Sequence, residues 1–167
     1  MYVRFKLAAF AAHVAKASAY SQVLANHWSH LQTGQALPLL VIIASYVLSG
    51  IAQVDFAEET SEATTRVFQE RFIRVLRSVG HVAYATYAVN PLVYLPLLIA
   101  NVLETYAAFF PQGKVAFVIV GPNTRKWFTL LILVAYFLSA SGDLIGHAPV
   151  LAIVSIQSLS TFLVSKE

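Results

Sequence analysis

Five histidines, one isolated aspartate and a run of arginines are the residues through which this chain could do chemistry. His27 and His30 lie in H-W-S-H, an i, i+3 spacing that puts two imidazoles on one face of a helix. Metal sites want a third or fourth ligand, and none lies nearby in the sequence, so the pair reads as part of a polar helical face. His81 and His147 open two apolar stretches. In a chain that crosses a bilayer four times they fall on the same membrane side, which makes them the alternative pair for axial ligation of a haem. Asp143 is the one acid in a long apolar run. Acids inside membranes are functional candidates by default, but Gly142 and Gly146 flank this one and point to a solvated loop. Glu104 closes an apolar stretch and needs no special role.

Arg66, Arg71, Arg74 and Arg77 are the most informative charges. Guanidinium groups bind phosphate through several donors, and such clusters beside a membrane crossing hold anionic lipids. These four are the candidate lipid-binding residues, with an anionic lipid such as cardiolipin as the expected bound molecule. No metal, haem or other cofactor is otherwise expected. The sequence has no glycine-rich phosphate loop, no H-E-x-x-H and no G-x-S-x-G, so no catalytic residues are assigned and the chain is not expected to be an enzyme. It has no cysteine, which excludes disulfides, iron–sulfur ligation and thiol catalysis.

The elements that must position these residues follow from composition and periodicity. Of 167 residues, 58% are hydrophobic and 11% charged, against roughly 25% charged in soluble domains. Mean hydropathy is +0.69. The expectation is an all-α integral membrane protein forming a single polytopic domain, with about four transmembrane helices and two amphipathic interfacial helices. Residues 36–54 and 82–103 carry no charge and are the two clear crossings. Residues 3–31 show a helical period, with Val3, Leu7, Phe10, Val14 and Trp28 on one side and Lys6, His13, Lys16, Tyr20 and His27 on the other. This pattern predicts a helix lying in the headgroup region; the alternative is a crossing packed against other proteins, with its polar face buried in them. Residues 55–80 open acidic and turn basic, with Phe68, Phe72, Val75, Leu76 and Val79 opposite the arginines, and predict a second surface helix.

Residues 104–126 read as a connector, with Val115–Val120 extended or as a shallow turn. Residues 127–164 are too long for one crossing. They predict a hairpin of short helices, 127–141 and 148–164, broken at the Gly/Asp/Pro cluster of 139–149; the alternative is one crossing followed by a tail. Asn90-Pro91-Leu92-Val93-Tyr94 fits the N-P-x-x-Y pattern found in the last helix of rhodopsin-like receptors. Seven crossings would need about 140 apolar residues, so the pattern reads here as a proline bend within 82–103.

A small core and many aromatics imply other membrane subunits as partners, along with lipids and without nucleic acid. The functional expectation is a non-catalytic accessory subunit of a large energy-transducing membrane complex, such as a respiratory-chain or ATP synthase assembly, in the mitochondrial inner membrane. The alternatives are a membrane-shaping hairpin protein and a haem- or quinone-binding anchor of an oxidoreductase.

Overall fold

The structure is a computed structural model that describes residues 2–29, 33–55, 63–88, 90–121 and 124–164. Their regular structure is entirely helical. The chain forms α1 (Tyr2–His27), α2 (Thr33–Asp55), α3 (Ala63–Ala85), a 3-10 turn (Pro91–Tyr94), α4 (Leu95–Phe109), α5 (Lys114–Val120), α6 (Arg125–Ser139) and α7 (Ala148–Val164). Among the described residues two stretches are long and apolar enough to cross a membrane, Gly34–Gln53 and Pro91–Phe109.

The second of these stretches differs from the expected crossing at 82–103. Residues 82–85 belong to the end of α3, which runs unbroken through position 80. Turn bonds follow, from Tyr87 N–H to the Tyr84 carbonyl and from Ala88 N–H to the Ala85 carbonyl. Asn90 then caps the 3-10 turn by accepting from Leu92 N–H at 3.2 Å. Pro91 and Pro96 both lie at the start of a helical segment, where a missing N–H leaves no bond unmade. The N-P-x-x-Y residues therefore start a helix and do not bend one. The chain reverses, and α4 runs antiparallel to α3, with Ser78 Oγ 2.9 Å from Thr105 Oγ1 and Arg71 reaching Ala108 and Phe109. Further on, Val115–Val120 is helical within α5 and not extended. Helices α6 and α7 pack as a hairpin around the break at 140–147, with Trp127 edge-on to Phe162.

Both amphipathic helices are turned the other way from a surface helix. Helix α1 lies along α2 and α7. Its polar side faces inward, with Tyr20 buried and His13 and Lys16 half-buried, while Leu7, Val14 and Trp28 are exposed. Helix α3 packs on α2 and α4; Arg77 is buried, and Phe72, Val75 and Val79 face outward. Both helices are thus members of the bundle, where surface helices were expected over 3–31 and 55–80, and the polar side of each is its packed side. The periodicity identified two faces, but only tertiary contact decides which face points in. Neighbouring helices here supply hydrogen-bond partners that the arginine row needs.

The core joins Tyr20 and Val23 of α1, Leu39, Ile42 and Tyr46 of α2, Tyr136 of α6, and Val150, Leu151 and Val154 of α7. Tyr46 stacks on Tyr20 at 5.7 Å and shares a 3.2 Å hydroxyl contact with Tyr136. Gly80 lets α3 approach α2 closely, because a Cβ there would lie 2.9 Å from Ile42 Cγ1. At this seam Arg77 Nη2 donates to Ser49 Oγ at 2.5 Å and Nε to Ser45 Oγ at 3.3 Å, and the guanidinium carbon lies 4.0 Å from the centre of the Tyr46 ring.

Ser49→Ala should destabilise the protein by about 2 kcal/mol, because a buried charged donor loses its acceptor. In an Arg77→Met background the same change should have little effect. Denaturant unfolding of the four proteins in detergent checks this, and an equal penalty in both backgrounds would show that Ser49 does not hold Arg77.

Candidate functional site

The loop between α6 and α7 is organised by Asp143. Its backbone N–H donates to the Ala140 carbonyl at 2.9 Å, and its Oδ1 accepts from Gly146 N–H at 3.0 Å. Its carbonyl faces His147 Nδ1 at 2.9 Å. Its remaining oxygen, Oδ2, contacts His27 Nε2 at the end of α1. The His27 ring is fixed from its other side, where Nδ1 lies 2.8 Å from the Val23 carbonyl. The rings of His27 and His147 are 5.5 Å apart, and His147 Nε2 lies 3.4 Å from the Tyr84 hydroxyl. One ligand atom from each of His27, Asp143 and His147 falls within 4.8 Å of the others. Gly146 is needed for this convergence, since a Cβ there would collide with Asp143 Oδ2 and lie 2.6 Å from His27 Nε2.

The three side chains lie on the wall of a cavity of about 470 Å³, shared with Gln35, Tyr84, Asn90 and Tyr94. The Gly146 N–H and the His27 contact hold the Asp143 carboxyl below the ordinary carboxylate range. Burial pushes the His147 imidazole down from its usual value. A carboxylate and two imidazoles on one cavity wall can bind a cation, or accept and donate protons.

The sequence-predicted residues are distributed differently. His30 lies outside the described residues, and His27 instead meets residues of the α6–α7 loop. His81 and His147 do line a common cavity, but its volume is about 20 Å³, room for one water molecule and not for a porphyrin. His81 is 1% exposed and sits edge-on to Tyr20.

Of the four arginines, the side chain of Arg66 lies outside the described residues. Arg77 is committed to the α2 seam. Arg71 donates to the Ala108 and Phe109 carbonyls at 3.2 Å each, capping the end of α4. Arg74 pairs with Glu70 at 3.2 Å and Glu104 at 3.9 Å. With Lys16, Glu104 and Arg125 it also lines a second cavity of about 320 Å³.

Sequence reasoning missed the pairing of His27 with Asp143, which are 116 positions apart. The available signal was local: Asp143 and His147 stand at i, i+4, so a helical turn brings an acid and an imidazole together.

No family model, curated protein or solved structure matches this chain.

Because the folded carboxyl of Asp143 titrates below its unfolded value, its contribution to stability is complete above the unfolded pKa of about 3.9. It is lost as pH falls through the folded value. Asp143→Asn should therefore melt below wild type at pH 7, and the two should converge as pH drops below about 4. Thermal unfolding across that range measures the difference.

Proposed function

We propose that the chain is an integral membrane protein serving as a non-catalytic subunit of a larger energy-transducing membrane assembly, with the mitochondrial inner membrane as its setting. One observation carries the membrane reading. The bundle encloses Arg77, His81, Ser45, Ser49 and Asn101 while Trp28, Leu92, Phe117, Leu131 and Leu163 stand exposed. Water would solvate the first group and exclude the second; lipid favours the reverse. Only 28% of the Pro91–Phe109 window is buried within the chain, unlike the core helix of a soluble domain.

The subunit reading rests on what that exterior lacks. Helices α6 and α7 have 15 and 17 residues, about 22 and 26 Å, short of a hydrocarbon core of about 30 Å. Neighbouring protein relieves such a mismatch. Exposed Phe110, Phe117, Trp127 and Phe137 supply aromatic area for contact. The cavity of Lys16, Arg74 and Arg125 supports an anionic lipid headgroup, such as that of cardiolipin, as a further ligand. The basic balance of the chain and its few charges are consistent with this role.

A second reading, the anchor of an oxidoreductase holding a quinone headgroup, is favoured by the cavity at Tyr84, Tyr94 and His27, whose volume falls in the range of small-molecule sites.

The chain should remain in the membrane pellet after carbonate extraction and migrate with one large complex on a native gel. Arg74→Gln combined with Lys16→Gln should reduce co-purified anionic lipid. Release by carbonate would overturn the membrane reading. Migration only as a free protein would overturn the subunit reading, and in that form co-purified quinone would favour the second.

A further inference from the structure

The residues at the α1 end of the bundle do more than join a loop to a helix. We propose that His27, Asp143 and His147 form a binding site for one divalent transition-metal cation of the zinc type, with a coordination position open to the adjoining cavity. The donor set is two imidazoles and one carboxylate. It suits borderline cations, whereas magnesium and calcium prefer sites built from oxygen. Three protein ligands beside an accessible space are the arrangement in which zinc keeps a position for water or another small ligand.

One ligand is already oriented. The Val23 carbonyl holds His27 Nδ1 and directs Nε2 toward Asp143, and such a carbonyl contact fixes the ring of a metal-ligating histidine. The His147 ring presents Nδ1 at 3.9 Å from Asp143 Oδ2, where it now faces the Asp143 carbonyl, and exchanges that carbonyl for the ion. The ligand atoms lie within 4.8 Å of one another. Around zinc, with bonds of about 2.0–2.1 Å, tetrahedral ligands stand about 3.3 Å apart. An ion entering here replaces the direct His27–Asp143 contact, which opens to that spacing, while the His147 ring moves inward; both are small movements of a short loop and two side chains. Gly146 keeps the space between Asp143 and His27 free of a side chain. Charge agrees as well: among the described residues no lysine or arginine lines this cavity, whereas the cavity at Arg74 is rimmed by Lys16 and Arg125. A cation approaching Asp143 meets no fixed positive charge on the cavity wall.

The test uses the untagged 167-residue chain in detergent, stripped with a chelator and titrated with Co2+ as a spectroscopic probe. The wild type should bind one Co2+ per chain with the intense visible bands of a low-coordinate ion, and Zn2+ should displace it. His27→Ala and His147→Ala should each weaken binding at least about tenfold, a loss that even a partner of a ligand produces. Gly146→Ala retains all three ligands and should also weaken binding, by forcing Asp143 and His27 apart. Circular dichroism establishes that each protein is helical. Failure of the folded wild type to take up Co2+ would overturn the proposal without recourse to any variant. Wild-type affinity in both helical histidine variants would overturn it equally.

Discussion

A guanidinium cannot be buried without partners, and Arg77 is buried in the middle of α3. Everything around it answers that requirement. Ser45 and Ser49, one turn apart on α2, present oxygens to it, and the Tyr46 ring covers its face. Among the described residues no carboxylate pairs with it, so its charge is solvated by hydroxyls, a carbonyl and a π-system. That arrangement sets the rotation of both helices. It also demands a close approach, which Gly80 permits one turn further along.

From that seam the rest of the bundle is assembled outward. Tyr46 passes contact to Tyr20 of α1 and Tyr136 of α6, which ties three helices to one aromatic cluster. Once Tyr20 is seated there, His27, two turns on, emerges at the end of α1 beside the α6–α7 loop. The candidate site is therefore placed by a polar contact some way along the bundle, and its precision derives from rigid helices on both sides. The loop at 140–147 is held by Asp143, which bonds the loop's own backbone as well as His27.

Helices α1 and α3 were legible in the sequence because apolar and polar residues recur along them with the right period, and α2 because its run carries no charge; the faces they turn outward were not legible. Leu7, Val14 and Trp28 mark a hydrophobic stripe whether it faces a core or the surroundings. Distinguishing the two needed the knowledge that Lys16 and Arg77 have partners on other helices. The boundary between α3 and α4 was misplaced for a related reason. An uncharged run from 82 to 103 looks continuous, yet Asn90 and Pro91 start a new segment, and the reversal there depends on Ser78 meeting Thr105. The break in 127–164 was visible because its residues, Gly142, Asp143, Gly146 and Pro149, act locally. Asp143 and His147 were within reach of a local pattern, but their meeting with His27, 116 positions before Asp143, was not.

The long separation between α1 and its second neighbour has a consequence for biogenesis. Helix α1 is made just before α2, on which it packs, and well before α7. Its remaining flank meets α7, where Gln157 donates to the Ala12 carbonyl at 3.2 Å. That flank stays uncovered until α7 has been synthesised, several seconds later at about 5–20 residues per second. During that interval the nascent chain exposes a flank of α1 that its own sequence will eventually cover.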